Sequence, residues 1–404
     1  MNAVARRTNG FVRSGLLLVA FVLAFSGMTM PVSAAPGVDR SQQSSKTTNW
    51  LSDLKLIDSA TGACRVTDAQ LMIRGGGDQD WSHVTDRIVY DYVDTNKIFQ
   101  LATMNPDGSG KTCLTCAARS GAPAVNQHKF NPSWYPNGQG IVVQVEMKSH
   151  WLSWLKTQPI TTELLQNGLW NDLYYVNADG TKWQKLTNTS GAVTDGVLAP
   201  VFSPDGTKLM WSRLVEEASN SAPFGKWRLM LGDFALNAGT ASLTNVRDIT
   251  PAGSNFIESH GFSPDSSSVL VTTDLMSKGT WEKHIWLLHL DTGDLQNVSP
   301  NNHWNEHAYF SPDGSKLAYM SSLPFLWSFM QTEVILADPD GSNPVRLTHF
   351  NTAGYPESTS ETSAATRIRW NADGTKMAVT QQMKKSYPAR NMWILTFAGN
   401  CGVK

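Results

Sequence analysis

One short stretch recurs along this chain and limits its possible folds more than any other feature: FSPDGSKLAYM, Phe310 to Met320. Pro312 sets φ near the value a type I turn requires, Asp313 can cap the turn with its side chain, and Gly314 accepts the left-handed conformation that follows. Around the turn, Phe310, Leu317 and Tyr319 alternate with polar residues at the period of a half-buried strand. The unit is therefore a locally encoded hairpin. It returns as FSPDGTKLMW (Phe202 to Trp211), FSPDSSSVLV (Phe262 to Val271), WNADGTKMAV (Trp370 to Val379) and, more loosely, WYPNGQGIVV (Trp134 to Val143). One hairpin is marginally stable in water, so the repetition matters more than the content.

A second hairpin interleaves with the first. DLYYVNADGTKWQKLT (Asp172 to Thr187), IWLLHLDTGDLQNV (Ile285 to Val298), EVILADPDGSNPVRLT (Glu333 to Thr348) and IFQLATMNPDGSGKTCLT (Ile98 to Thr115) each read as strand, Asp/Gly turn, strand. Two alternating hairpins per period give four strands, the signature of a propeller blade. The expected fold is all-β, a six-bladed β-propeller of four-stranded antiparallel blades. Its periods fall at 86–116, 127–188, 198–250, 256–300, 305–350 and 365–397, the first lacking a clean SPDG turn. The repeats are more widely spaced than the roughly 40 to 45 residues of a bare blade, which marks insertions, at 148–170 and 321–331 above all.

These two hairpins together resemble the TolB-like, WD-like propeller repeats, also found in the propeller domains of prolyl oligopeptidase-type enzymes, over residues 86–397. The resemblance implies the propeller fold and leaves function open, since such propellers host many activities. Two features depart from those proteins. The stretch between the leader and the first blade is too short for TolB's separate N-terminal domain. Nor does the chain contain the G-x-S-x-G elbow of an α/β-hydrolase.

Arg6, Arg7 and Arg13 precede an apolar run from Leu16 to Phe25 and then VSA at Val32 to Ala34. This is the pattern of a secretory signal over residues 1–34, followed by a Ser- and Gln-rich leader over 35–50 and a single propeller domain over 51–404. The apolar run falls short of the roughly 20 residues a membrane span needs. An exported protein, periplasmic or extracellular, is expected, with Sec and twin-arginine export both open. The 33 basic and 34 acidic side chains nearly balance, which argues against nucleic acid as a partner. A protein or an envelope polysaccharide is the expected partner, engaged by a monomer. Fifteen tryptophans fit blades that pack large aromatics between their sheets.

Four cysteines in an exported chain favour disulfides. The strand Asn391 to Phe397 reads as the third of the last blade, and Leu54 to Asp68 as an outer-strand hairpin without inner strands of its own. We therefore expect Cys64 to Asp68 to close the ring as the fourth strand, with Cys64 bonded to Cys401. Cys113 and Cys116 form C-x-x-C, and Ala117 stands where c-type haem attachment needs a histidine. Residues three apart in a strand lie about 10 Å apart. A local disulfide, the reading taken, therefore needs a turn at Leu114-Thr115; a redox pair is the alternative.

Two motifs are misleading. GSGKT, Gly108 to Thr112, has Asn105 where a phosphate-binding loop needs its first glycine, and it aligns with the hairpin turns. HWNEH, His303 to His307, matches a zinc-peptidase pattern that works only on a helix, whereas here it runs into a strand.

In a four-stranded meander, the SPDG and NADG turns share one face and the insertions gather on the other, where propellers bind ligands through loops around the central channel. Just before the innermost strands, that face collects His128, Glu258, His260, Glu306, His307, Arg367 and Arg369. No cofactor is required by these residues. A divalent metal could nevertheless sit on His128, His260 and His307, with Glu258, Glu306 or His260 as acid or base. Three readings follow: hydrogen bonding between loops, ligand binding by a scaffold, and a metal-assisted carbohydrate lyase or hydrolase. The insertions Trp151 to Trp170 and Leu323 to Met330 are rich in apolar residues, which pack on one another or form a patch for a partner.

Overall fold

The computed structural model describes residues 59–150, 152–325, 331–384 and 390–403. Within them lie six four-stranded antiparallel sheets. Their innermost strands are Gly76–Trp81, Lys129–Trp134, Gly196–Phe202, Ile257–Phe262, Asn305–Phe310 and Ser363–Trp370. Each contacts the next and the last contacts the first, which closes a six-bladed propeller around a central channel. The leader expected over residues 1–50 lies outside the described residues.

The repeated turns form as their sequences dictate. In blade three, Gly206 N–H bonds Ser203 carbonyl at 2.8 Å, while Asp205 Oδ1 accepts from Ser203 Oγ at 2.6 Å and from Thr207 N–H at 2.9 Å. Gly206 has φ 72°. FSPDSSS forms the same turn without the glycine, and Ser266 takes φ 62° there. The segment at Asn105 to Ser109 closes as a hairpin turn, Gly108 N–H bonding Asn105 carbonyl at 2.9 Å.

Ring closure is more extensive than expected. The outer strand of blade six is Val66–Arg74, paired antiparallel with Arg390–Phe397. It begins after a single 3-10 turn at Gly62–Cys64, and residues 54–58 of the expected hairpin lie outside the described residues. Cys64 bonds Cys401 across a sequence separation of 337, with Cα atoms 4.6 Å apart. In the chain-entropy picture so long a loop is worth about 6 kcal/mol. Cys113 and Cys116 are also bonded, their Cα atoms 5.8 Å apart.

Blade one begins at Gly76, ahead of the repeat expected from residue 86. Its inner strand reads GGDQDW, rich in glycine and acid, and it turns through Ser82 to Arg87 rather than through SPDG. That composition hides it from a search for alternating apolar residues.

A feature with no sequence signature recurs in all six blades. Before its aromatic anchor, each inner strand bulges, so that one extra residue faces the neighbouring strand. The bulges fall at Gly77-Asp78, Asn131-Pro132, Ala199-Pro200, His260, His307-Ala308 and Thr366-Arg367. Gly77, Asn131, Ala199 and His307 have positive φ, 139°, 51°, 51° and 53°. Bulges re-aim side chains and gather beside functional sites.

The insertion after the second strand of blade two carries a 3-10 turn at Ser153–Leu155 and helix α1, Pro159–Gln166, with Pro159 at the start of the helix. Leu164, Leu165, Leu169 and Trp170 pack into the apolar core with Phe130, Met210 and Leu229. The insertion is thus mostly core, although Trp154 is 78% exposed. Leu326 to Met330 of the second apolar stretch lie outside the described residues.

Candidate functional site

The starts of the inner strands, the ends of the second strands and helix α1 enclose a cavity of about 200 Å³ on the insertion-bearing face. Glu258, Glu306, His307 and Arg367 line it, joined by Asp78, Asn131, Glu163, Gln166, Trp304, Gln382 and Arg390. Four of the seven residues expected from sequence therefore reach it. The other three stand apart from the lining, for different reasons.

His260 is fully buried and lies against His307, the ring centroids 5.5 Å apart. One ligand atom each from Glu258, His260 and His307 lie within 4.8 Å of one another. Adjacent residues of a regular strand point to opposite faces. The bulges are what allow Glu306 and its neighbour His307 to line the same cavity.

His128 is not part of this group. It stacks on Phe130 at 5.4 Å, its Nδ1 accepts the Phe99 N–H at 3.2 Å, and its Nε2 meets the Lys156 carbonyl at 3.1 Å. It joins blades one and two to the insertion. Among the described residues, the only group suited to a metal places Glu258 where the sequence reading placed His128.

Arg369 is also buried and structural. Its Nε donates to Asp80 Oδ1 at 2.5 Å, and its guanidinium lies 3.9 Å from the centre of the Tyr309 ring. Asp80 Oδ2 in turn accepts from Trp134 N–H at 2.6 Å and from Ser133 Oγ at 3.2 Å. One carboxylate thus ties blade six to blades one and two. Arg367 donates to Asn131 Oδ1 and, at 3.3 Å, to the Tyr309 hydroxyl. Arg390 donates to Asp78 and, at 2.6 Å, to Gln382 Oε1.

Burial sets the charge states. It pushes the Glu258 carboxyl up to about 7, against the pull of Arg367 and with a further push from Asp78. Glu306 is raised well above the usual carboxylate range by burial and by Glu258. Burial lowers both His260 and His307, and the Arg367 and Arg369 guanidiniums lower them further, so the imidazoles are neutral. The cavity thus combines imidazoles lowered and carboxyls raised by burial with paired guanidiniums.

Several polar atoms in and beside the cavity are buried without a hydrogen-bond partner: His260 Nδ1, His307 Nδ1, both side-chain polar atoms of Gln166, Thr366 Oγ1 and Gln382 Nε2. Buried unpartnered atoms also occur in the core, at His150 Nδ1 and several indole nitrogens; those at the cavity are available to a ligand, a water or an ion.

Sequence reasoning missed Asp78, Asn131, Gln382 and Arg390. For the first two a signal existed. If Trp81 and Trp134 are aligned with the anchor aromatics Phe310 and Trp370, Asp78 and Asn131 fall at the position of His307 and Arg367, three residues earlier. HWNEH divides as expected of a strand: His303 Nδ1 meets Ser322 Oγ at 3.4 Å, and His307 belongs to the other group.

Fold and site together define a six-bladed propeller with a polar axial cavity. No family model matches the chain, and no curated protein matches it. Among solved structures it is similar to TolB from Acinetobacter baumannii, with 15% identity over 79% of this chain and 65% of that one and a TM-score of 0.45. A putative TolB from Agrobacterium tumefaciens has 15% identity over 74% of this chain and 91% of that one, with a TM-score of 0.48. An oligogalacturonate lyase in complex with manganese has 14% identity over 84% of this chain and 95% of that one, with a TM-score of 0.44. The likeness is one of fold. No described helix is long and apolar enough to cross a membrane.

Proposed function

We propose that this chain is an exported binding propeller that takes a cell-envelope polysaccharide on its insertion-bearing face, with one sugar residue in the axial cavity. The two disulfides fit an oxidising compartment. One observation carries the polysaccharide reading. Trp304, which lines the cavity, stacks on Trp281 with ring centroids 5.3 Å apart, and Trp281 is 37% exposed. Phe224 meets both indoles edge-on. An aromatic wall therefore runs from the surface to a cavity lined by carboxyls and guanidiniums. The C–H face of a pyranose stacks on indole, while sugar hydroxyls and carboxylates pair with the polar groups.

The test is titration of the full-length protein with envelope polysaccharide fragments, read by calorimetry. Saturable binding is expected, weakened about tenfold in Trp281→Ala, a loss near 1.4 kcal/mol. The reading fails if no fragment binds, or if Trp281→Ala binds as tightly as the parent. The catalytic alternative, a metal-assisted carbohydrate lyase or hydrolase with Glu258 or Glu306 as base, requires a metal site, whereas the binding reading does not.

A further inference from the structure

We infer that Glu258, His260 and His307 form a binding site for a divalent first-row transition metal, its open coordination positions facing the axial cavity. The inference is independent of which polymer, if any, the cavity takes.

The donor set comes first. One ligand atom from each of the three side chains falls within 4.8 Å of the other two. Metal–ligand bonds of about 2.0 to 2.2 Å place donors roughly 3 to 4 Å apart around a shared ion, so small side-chain adjustments suffice. Two imidazoles and one carboxylate suit zinc, manganese or iron(II) better than calcium or magnesium, which prefer all-oxygen shells. A set of three protein ligands also leaves positions open, as catalytic sites do and closed structural sites do not.

A second observation points to the same ion. His260 is fully buried, and its Nδ1 has no hydrogen-bond partner; the Nδ1 of His307 is likewise buried and unpartnered. The other nitrogen of His260 is held in place: Nε2 lies 2.6 Å from Thr272 Oγ1, and the His307 N–H approaches it at 3.3 Å. Contacts that fix the far nitrogen orient an imidazole, as the supports of metal-binding histidines do.

The remaining polar groups fit as well. Glu306 Oε2 lies 4.0 Å from His307 Nε2, within reach of a water on the ion. The bulges at His260 and His307-Ala308 supply the geometry, since they turn both imidazoles toward Glu258.

The experiment uses the full-length protein stripped of metal by chelator and titrated with ZnCl2 and MnCl2, with calorimetry and elemental analysis after desalting as readouts. One ion per chain is expected, together with a rise in melting temperature on metal addition. His307→Ala and Glu258→Gln should each weaken binding at least 100-fold and abolish the thermal shift. His260→Ala should do the same, but if that buried variant fails to fold the other two decide. His83→Ala, which removes an exposed histidine, should bind as the parent does. The inference is overturned if neither ion binds at one per chain. It is equally overturned if folded His307→Ala and Glu258→Gln both keep the parent affinity. Binding of the ion without any saccharide would leave this inference standing and the polysaccharide reading refuted.

Discussion

In blades one, two and six, side chains at the inner-strand bulges are bonded across to other blades: Asp78 to Arg390, Asn131 to Arg367, and Arg367 to Tyr309, with Asn131 also bonded to Gln144 of its own blade. In blades four and five, the same bulge presents His260 and His307, each with an unpartnered Nδ1. On one side of the ring, blades one, two and six commit Asp78, Asn131 and Arg367 to holding the propeller closed, next to the Val66–Arg74 strand that completes blade six. On the other side, blades four and five leave an imidazole nitrogen of each bulge histidine unpartnered. A polar residue at the channel mouth is therefore no guide to function until its partners are counted.

This contrast should appear as a gradient of stability effects. The largest is expected at Asp80, whose carboxylate serves Arg369, Ser133 and the Trp134 N–H at once. Asp80→Ala leaves a buried guanidinium unpaired and should cost about 3 to 5 kcal/mol in denaturant unfolding. A loss below about 1 kcal/mol would show that the lock does not hold the ring. Next come two equivalent bulge positions. Asn131→Ala strips Arg367 and Gln144 of a partner and should cost about 2 kcal/mol, whereas His307→Ala should cost about 1 kcal/mol or less, because little is bonded to its ring. Equal losses at the two positions would erase the distinction between the two sides.

A pH dependence sharpens the first side of the comparison alone. Lys129, fully buried in blade two, bonds the Ala124 and Val125 carbonyls at 2.8 and 3.2 Å, and burial brings its ammonium down to about 7. The unfolded chain keeps the ordinary value near 10.4. Between pH about 7 and 10 the folded protein thus binds fewer protons than the unfolded chain, and stability rises across that window by at most about 1.4 kcal/mol per unit. In Lys129→Met that rise should vanish. Parallel pH profiles for the two proteins would show that Lys129 is solvated.

The same contrast explains what the sequence does and does not reveal. The SPDG hairpins are written locally, Pro, Asp and Gly making each turn; the strand that closes the ring and the Cys64–Cys401 bond were legible from the strand count, because the last repeat shows only three strands of its own. Glu258, His260, Glu306 and His307 were legible because they precede a recognisable anchor. The bulges were not, because an extra residue leaves no mark in the apolar pattern when Asn131, Ala199 and His307 take positive φ without glycine. The inner strand of blade one was hidden for a related reason: its Asp78 and Asp80 face partners supplied by Arg390 and Arg369, which are about 300 residues away in the chain. His128 shows the converse. Its sequence position matches the site, and only its bonds to Phe99 and Lys156 remove it.

The most direct measurement of the central claim is anomalous diffraction from crystals of the protein soaked in manganese or zinc, recorded on both sides of the metal edge. One strong anomalous peak is expected between Glu258, His260 and His307, bonded to at least one imidazole nitrogen and open toward the cavity. An occupied site elsewhere, with these three side chains unmoved, would contradict the claim, and so would a map with no peak at saturating metal.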